Sequence, residues 1–158
     1  MESSEKLKQW IRRHEQFSAR AYVDGYDKKH NKPFYSIGYG HQIQPGDNLD
    51  AQSVITQDRA EAMLEKDLKY FETYVNISVQ LNLNQPGYDA LVNLNYAVGP
   101  GTVISSGLYA ALNSKNDLLA IHIWSYLGTM VNGKFCSVNA QMRNHEIDMF
   151  FDGIYPIF

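Results

Sequence analysis

The sequence predicts an α+β fold: an N-terminal helix, a small antiparallel β-sheet built on a hairpin, and a mainly helical C-terminal lobe. Apolar residues first recur at helical spacing, then give way to two aromatic and β-branched runs around a polar turn. Helical spacing returns from about residue 56 onward. The chain of 158 residues has the length of one domain, and no repeat, low-complexity run or linker divides it. A single domain over 1–158 is therefore expected, with a small sheet-bearing lobe at about 12–55 and a helical lobe comprising 1–11 and 56–158.

Residues 4–15 read as the first helix. Leu7, Trp10, Ile11 and His14 fall at i, i+3, i+4 and i+7, an apolar stripe with charges opposite, and Ser3 or Ser4 can cap its start. Glu15 stands at its end. The runs Tyr22–Tyr26 and Phe34–Tyr39 read as hairpin strands around the polar turn Asp27–Pro33, and Pro45–Asn48 is a further turn. Thr56 can cap a helix in which Ala60, Met63, Leu64, Leu68 and Phe71 share one face. Asn84-Gln85-Pro86 opens the next helix, with Pro86 in its first turn, and Gly99-Pro100-Gly101 stops it. Shorter helices are expected around 105–113 and 116–126, and a last one from about 138 to 151.

Composition narrows the function. With 14 Lys plus Arg against 17 Asp plus Glu, the net charge of -3 argues against a nucleic-acid partner, which would want a concentrated basic footprint. The single cysteine, Cys136, cannot form a disulfide within the chain and lacks a thiol-protease signature, so it reads as a packing residue. The first ten residues are too charged for a signal-peptide core, and no stretch reaches the length of a membrane span. Synthesis in a cytoplasm is therefore expected. His14, His30, His122 and His145 show no ligand spacing, so neither metal nor cofactor is expected.

Two carboxylates, Glu15 and Asp24, lie nine positions apart, one at a helix end and one in the hairpin. Such a pair suits glycosidic cleavage, where one protonated acid releases the leaving oxygen and one ionised carboxylate works opposite. With 17 acidic residues in the chain, a pair of that kind is by itself an ordinary occurrence.

The surrounding residues give it meaning. His14-Glu15-Gln16-Phe17-Ser18-Ala19-Arg20-Ala21-Tyr22-Val23-Asp24, followed by Tyr35-Ser36-Ile37-Gly38-Tyr39-Gly40-His41, resembles the signature of the phage-type lysozymes of glycoside hydrolase family 24. Segments 56–67, 85–101, 105–113 and 143–146 are similar to that family in the same order. The resemblance implies a lysozyme-like fold and a muramidase. Its substrate would be peptidoglycan, cut at the β-1,4 bond between N-acetylmuramic acid and N-acetylglucosamine.

By the same resemblance, Glu15 is the general acid, Asp24 the ionised partner directing water, and Ser36 a hydroxyl where threonine is common. At the ordinary glutamate pKa, only about 1 in 500 such groups is protonated at pH 7, so Glu15 needs a raised one. The family includes inverting enzymes, which keep the two carboxyls about 6.5–9.5 Å apart to admit water. His41 resembles the histidine that pairs with a helical aspartate, here Asp67. Arg143 and Glu146 match a structural pair that supports the start of the chain, with direct substrate contact as the alternative, and Met142 replaces an arginine. Gln16 stands where glycine is usual, and the loop at 27–33 is longer.

Tyr26, Phe34 and Tyr39 are candidate platforms for sugar rings. Gly38-Tyr39-Gly40 lacks the context of a phosphate loop, and tight turn packing accounts for it better. The expected setting is a monomer made in a phage host's cytoplasm, reaching the wall through a holin or as part of a virion. Two alternatives remain open: a virion structural or binding protein with this fold, and a hydrolase of chitin-like polymers.

Overall fold

A computed structural model describes residues 1–27 and 30–156. Lys28 and Lys29 of the expected 27–33 loop, and Ile157 and Phe158 of the apolar ending, lie outside the described residues. The chain forms two compact units, Lys8–Asp67 and Met1–Leu7 with Leu68–Phe158. Helices α1 (Glu5–Glu15) and α2 (Gln57–Ser78) each give turns to both.

Of the two candidate caps, Ser4 closes α1: its hydroxyl accepts the Leu7 amide at 3.2 Å. Leu7, Trp10 and Ile11 are buried, as their spacing predicts. His14 leaves the stripe. It is exposed, with its ring Nδ1 2.9 Å from the Trp10 carbonyl, because a ring with two polar nitrogens is cheaper to leave wet.

The sheet of the first unit is antiparallel, in the order β1 (Ser18–Asp27), β2 (Lys32–Gly38), β3 (His41–Gln42). β1 begins at Ser18 rather than Tyr22, since Ala21 donates to the Ser53 carbonyl and Ile55 to that of Ala19. β3 was not expected; two residues are too few to show a period. The unit extends beyond the expected 12–55 because side chains bind α1 and α2 to one another and to the sheet. Lys8 reaches Glu65 at 2.5 Å, Arg12 reaches Glu61 at 2.9 Å, and the Tyr39 hydroxyl donates to Glu61 at 2.8 Å. Thr56 caps α2 by accepting the Arg59 amide. Ala60, Leu64, Leu68 and Val75 form its buried row, while Met63 and Phe71 are half-buried.

In the second unit, Asn84 caps α3 (Gln85–Val98) by accepting the Gly87 amide at 2.8 Å, with Pro86 in the first turn. The helix is buried continuously from Gly87 to Asn95, as a helix packed on every face must be. Gly99 ends it at φ 81, and α4 (Pro100–Ser105) follows. α4 falls where only the stop at Gly99-Pro100-Gly101 was expected, and the helix expected at 105–113 is α5 (Leu108–Asn113), which begins after Gly107 at φ 83. Next come α6 (Asp117–Tyr126), an unexpected short hairpin of β4 (Met130–Val131) and β5 (Lys134–Phe135), and α7 (Ser137–Phe151). Cys136 is half-buried, and its amide donates to the Thr129 carbonyl at 2.7 Å.

The C-terminal ending folds back at least as far as Tyr155. Its hydroxyl donates to buried Asp89 at 2.6 Å, and the Lys6 ammonium lies 4.8 Å from its ring centroid. Among the described residues, no helix is long and apolar enough to cross a membrane.

Candidate active site

Glu15 is the last residue of α1, and the helix stops there because Gln16 adopts a left-handed φ of 54°. That conformation costs a residue with a Cβ about 1–2 kcal/mol, which glycine avoids. Replacing Gln16 with glycine is therefore expected to stabilise the protein by about 1 kcal/mol, or about 2–4 °C in Tm by calorimetry. An unchanged or lower Tm would show that Gln16 has contacts that offset the strain.

The Glu15 carboxyl rests against the turn between β2 and β3. A Cβ built on Gly40 would stand 3.0 Å from Glu15 Oε2, and Gly40 has φ 82. Gly38 is similarly placed, at φ 68, with a Cβ position 3.1 Å from that of Ala60. These glycines let the backbone pass close to the acid and to α2. Desolvation by the surrounding protein, then the negative charge of Asp24, push Glu15 above the ordinary carboxylate range. Glu15 still keeps exposed surface.

Asp24 lies where the register slips. Val23 pairs with Tyr35 and Gly25 with Phe34, so Asp24 is the extra residue of a β-bulge, a device that re-aims a side chain. Ser36, on β2 and 0% exposed, donates its hydroxyl proton to Asp24 Oδ2 at 2.7 Å. The sheet thus brings Asp24 and Ser36 together, and Glu15 is near enough for Asp24 to shift its ionisation. Tyr22 joins them: burial first, then the charges of Asp24 and Glu15, raise its phenol's pKa. Sequence reasoning passed over Tyr22, although its place two residues before Asp24 on one strand was the available signal.

The aromatic candidates divide. Tyr26 is 63% exposed on β1 and open to a ligand. The Phe34 ring lies across Gly25, where a Cβ would be 2.3 Å from its Cζ, so one face is already covered. Tyr39 is only 4% exposed, with its hydroxyl on Glu61 and its ring 5.9 Å from that of Phe17. It is a packing residue here, not a platform, because the turn draws it inward against α2.

His41 lies between two carboxylates, with Nδ1 2.7 Å from Asp67 and Nε2 3.0 Å from Asp47. The Asp67 hydrogen bond raises its pKa most; desolvation opposes this, and Asp47 adds a further rise. A histidine raised above its unfolded value of about 6.5 stabilises the fold fully below that pH and loses the contribution as pH climbs through the folded value. Asp67→Asn is therefore expected to cost about 1–3 kcal/mol near pH 5.5, with the deficit shrinking by pH 9 in denaturant titrations. A deficit independent of pH would contradict this. Asp47 was missed because its bond spans a turn that shows no periodicity.

Arg143 and Glu146 lie on α7, in the other compact unit. They pair with each other at 2.6 Å, and Glu146 also accepts from Asn93 at 2.6 Å and from the Trp124 indole at 2.9 Å. Arg143 is 3% exposed and Glu146 fully enclosed, and their bonds join α7 to α3 and α6. Among the described residues, no group of three or more His, Cys, Asp or Glu is placed to hold a metal ion.

The phage lysozyme family profile matches residues 12–139. The endolysin of Bacillus phage PZA is 36% identical over 110 residues, covering 70% of this chain and 40% of that protein. The endolysin of Bacillus phage B103 is 32% identical over 123 residues, covering 76% of this chain and 44% of that protein. The chain thus spans less than half the length of these two relatives. In structure, the endolysin from Escherichia coli O157:H7 phage FAHEc1 matches with a TM-score of 0.79 at 26% identity, over 99% of this chain and 98% of that one. From its helix-ending Glu15 through the bulged strand and the helices of the second unit, this chain belongs to the phage lysozyme family.

Proposed function

We propose that the protein is a muramidase, hydrolysing the β-1,4 bond between N-acetylmuramic acid and N-acetylglucosamine in peptidoglycan. One observation carries the reading: Glu15, raised by burial and by Asp24, stands with an Asp24 whose carboxylate is fixed by the Ser36 hydroxyl. Glu15 protonates the leaving glycosidic oxygen. The Asp24 carboxylate takes a proton from the attacking water and balances positive charge developing at the anomeric carbon. Ser36 donates its hydroxyl proton to Asp24 and so fixes the carboxylate that works on that water. The chemistry is carried by side chains alone. His41 holds the turn through Asp67 and Asp47, and Arg143 and Glu146 hold α7, so both act on structure. The biological setting is a phage-infected bacterium, with the wall as the site of action.

Incubating the protein with purified peptidoglycan, reading turbidity and then fragment masses, tests this directly. Turbidity loss with new reducing ends at muramic acid is expected. Chitin cleavage in its place would assign the site to a different polymer. Inertness toward both would leave a binding or structural protein of the virion.

A further inference from the structure

The turn on which Glu15 rests contains two glycines that do not fix it by themselves. Gly38 and Gly40, at φ 68 and 82, flank Tyr39, and glycine takes such angles as readily as many others. The Gly40 backbone passes so close that a Cβ there would stand 3.0 Å from Glu15 Oε2. Its course is set by what anchors Tyr39. The Tyr39 ring lies 5.9 Å from that of Phe17, two residues beyond Glu15. Its hydroxyl donates to Glu61 Oε1 at 2.8 Å and accepts from the Gln57 amide at 3.2 Å. The same Glu61 oxygen accepts from Arg12 Nε at 3.1 Å, while Oε2 accepts from Nε at 3.0 Å and Nη2 at 2.9 Å. Arg12 stands three residues before Glu15 on α1. One carboxylate on α2 thus grips both the helix that carries the acid and the turn that covers it.

We propose that Glu61 and Tyr39 are positioning residues for Glu15, whose mutual bond fixes the gap between the end of α1 and the Gly38–Gly40 turn. Burial alone would raise the Glu61 pKa, but the Arg12 and Tyr39 hydrogen bonds carry it below the ordinary range, so the anchor stays ionised at neutral pH. Enclosure is also the first cause of the raised Glu15 pKa, so a looser turn returns that group toward its ordinary value.

The inference rests on the muramidase reading, and carboxyl NMR titration of Glu15 tests it independently of turnover. Titrations, and kinetics on soluble peptidoglycan fragments, would compare wild type, Tyr39→Phe, Glu61→Gln and their double variant. Glu65→Gln is the control: it makes the same charge change and breaks the neighbouring Lys8 bridge between the same two helices. The titratable neighbours of Glu15 on β1, Asp24 and Tyr22, are unaltered throughout. Tyr39→Phe changes no charge and keeps the ring beside Phe17. It is expected to move the Glu15 titration and the alkaline limb of kcat/KM acidward by about half a pH unit. kcat should fall about tenfold with KM within about twofold, as misplacement of a reacting group implies. The double variant should lose no more than the worse single one, since both act through one bond. Glu65→Gln should leave the titration in place. An unmoved Glu15 titration in Tyr39→Phe, additive losses, or an equal shift in Glu65→Gln would overturn the proposal. A wild type that leaves peptidoglycan intact would instead remove the muramidase reading, and the titrations would then decide the role of Tyr39 and Glu61.

Discussion

Glu15→Gln is expected to lower the rate of peptidoglycan cleavage by about 10²–10⁴-fold, the range that positioned general acids contribute. The amide keeps the shape of the side chain but has no proton to release at the pH of the reaction. Its neighbours need no rearrangement, because Gly40 already leaves room against Oε2. Stability should change little, so a circular dichroism melt close to that of the wild type would separate lost chemistry from lost folding. The pH dependence follows from the same residue. Burial and Asp24 raise the Glu15 carboxyl, so its protonated fraction persists to higher pH than an ordinary glutamate's and activity falls on the alkaline side as it ionises. Substantial hydrolysis by Glu15→Gln would remove the general-acid role.

Glu146→Ala is expected to be the most destabilising single change considered, at about 3–5 kcal/mol. The carboxylate is fully buried and serves three donors: the Arg143 guanidinium, the Asn93 amide and the Trp124 indole N–H. Removing it strands a guanidinium that is 3% exposed, together with two neutral donors, where water does not replace the lost bonds. Desolvation is strong enough to raise the Glu146 pKa even against these partners. For a chain of this size the loss corresponds to a fall in Tm of about 10 °C or more. A melt lowered by less than about 3 °C would mean that the cluster is dispensable, or that Arg143 finds another acceptor.

The readable parts of the sequence were those with a period or a punctuating residue. Leu7, Trp10 and Ile11 announced the buried face of α1, Asn84 and Pro86 announced the start of α3, and each landed where the pattern put it. Short elements carried no period: β3, β4 and β5 have two residues each, and the six-residue α4 was not expected. At the site, a local motif singled out Glu15, Asp24 and Ser36, and Gln16, where glycine is usual, takes a left-handed φ. The bulge at Asp24 was not legible, since it depends on how β1 registers against β2. Tyr39 was misread because its aromatic character says nothing of the direction set by the Gly38–Gly40 turn, which turns the ring inward. Asp47 escaped notice for a like reason: its bond to His41 reaches across a turn.

The account depends on two carboxyls that sense one another, with Glu15 raised above the ordinary range by burial and by Asp24. Carbon-detected NMR titration of the Glu15 carboxyl, in the wild type and in Asp24→Asn, measures that directly. The prediction is a Glu15 value above the usual glutamate value of about 4.3 that drops when the Asp24 charge is removed. The alkaline limb of kcat/KM in the wild type should coincide with the wild-type titration. A Glu15 that titrates at the ordinary value in both proteins, indifferent to residue 24, would contradict it.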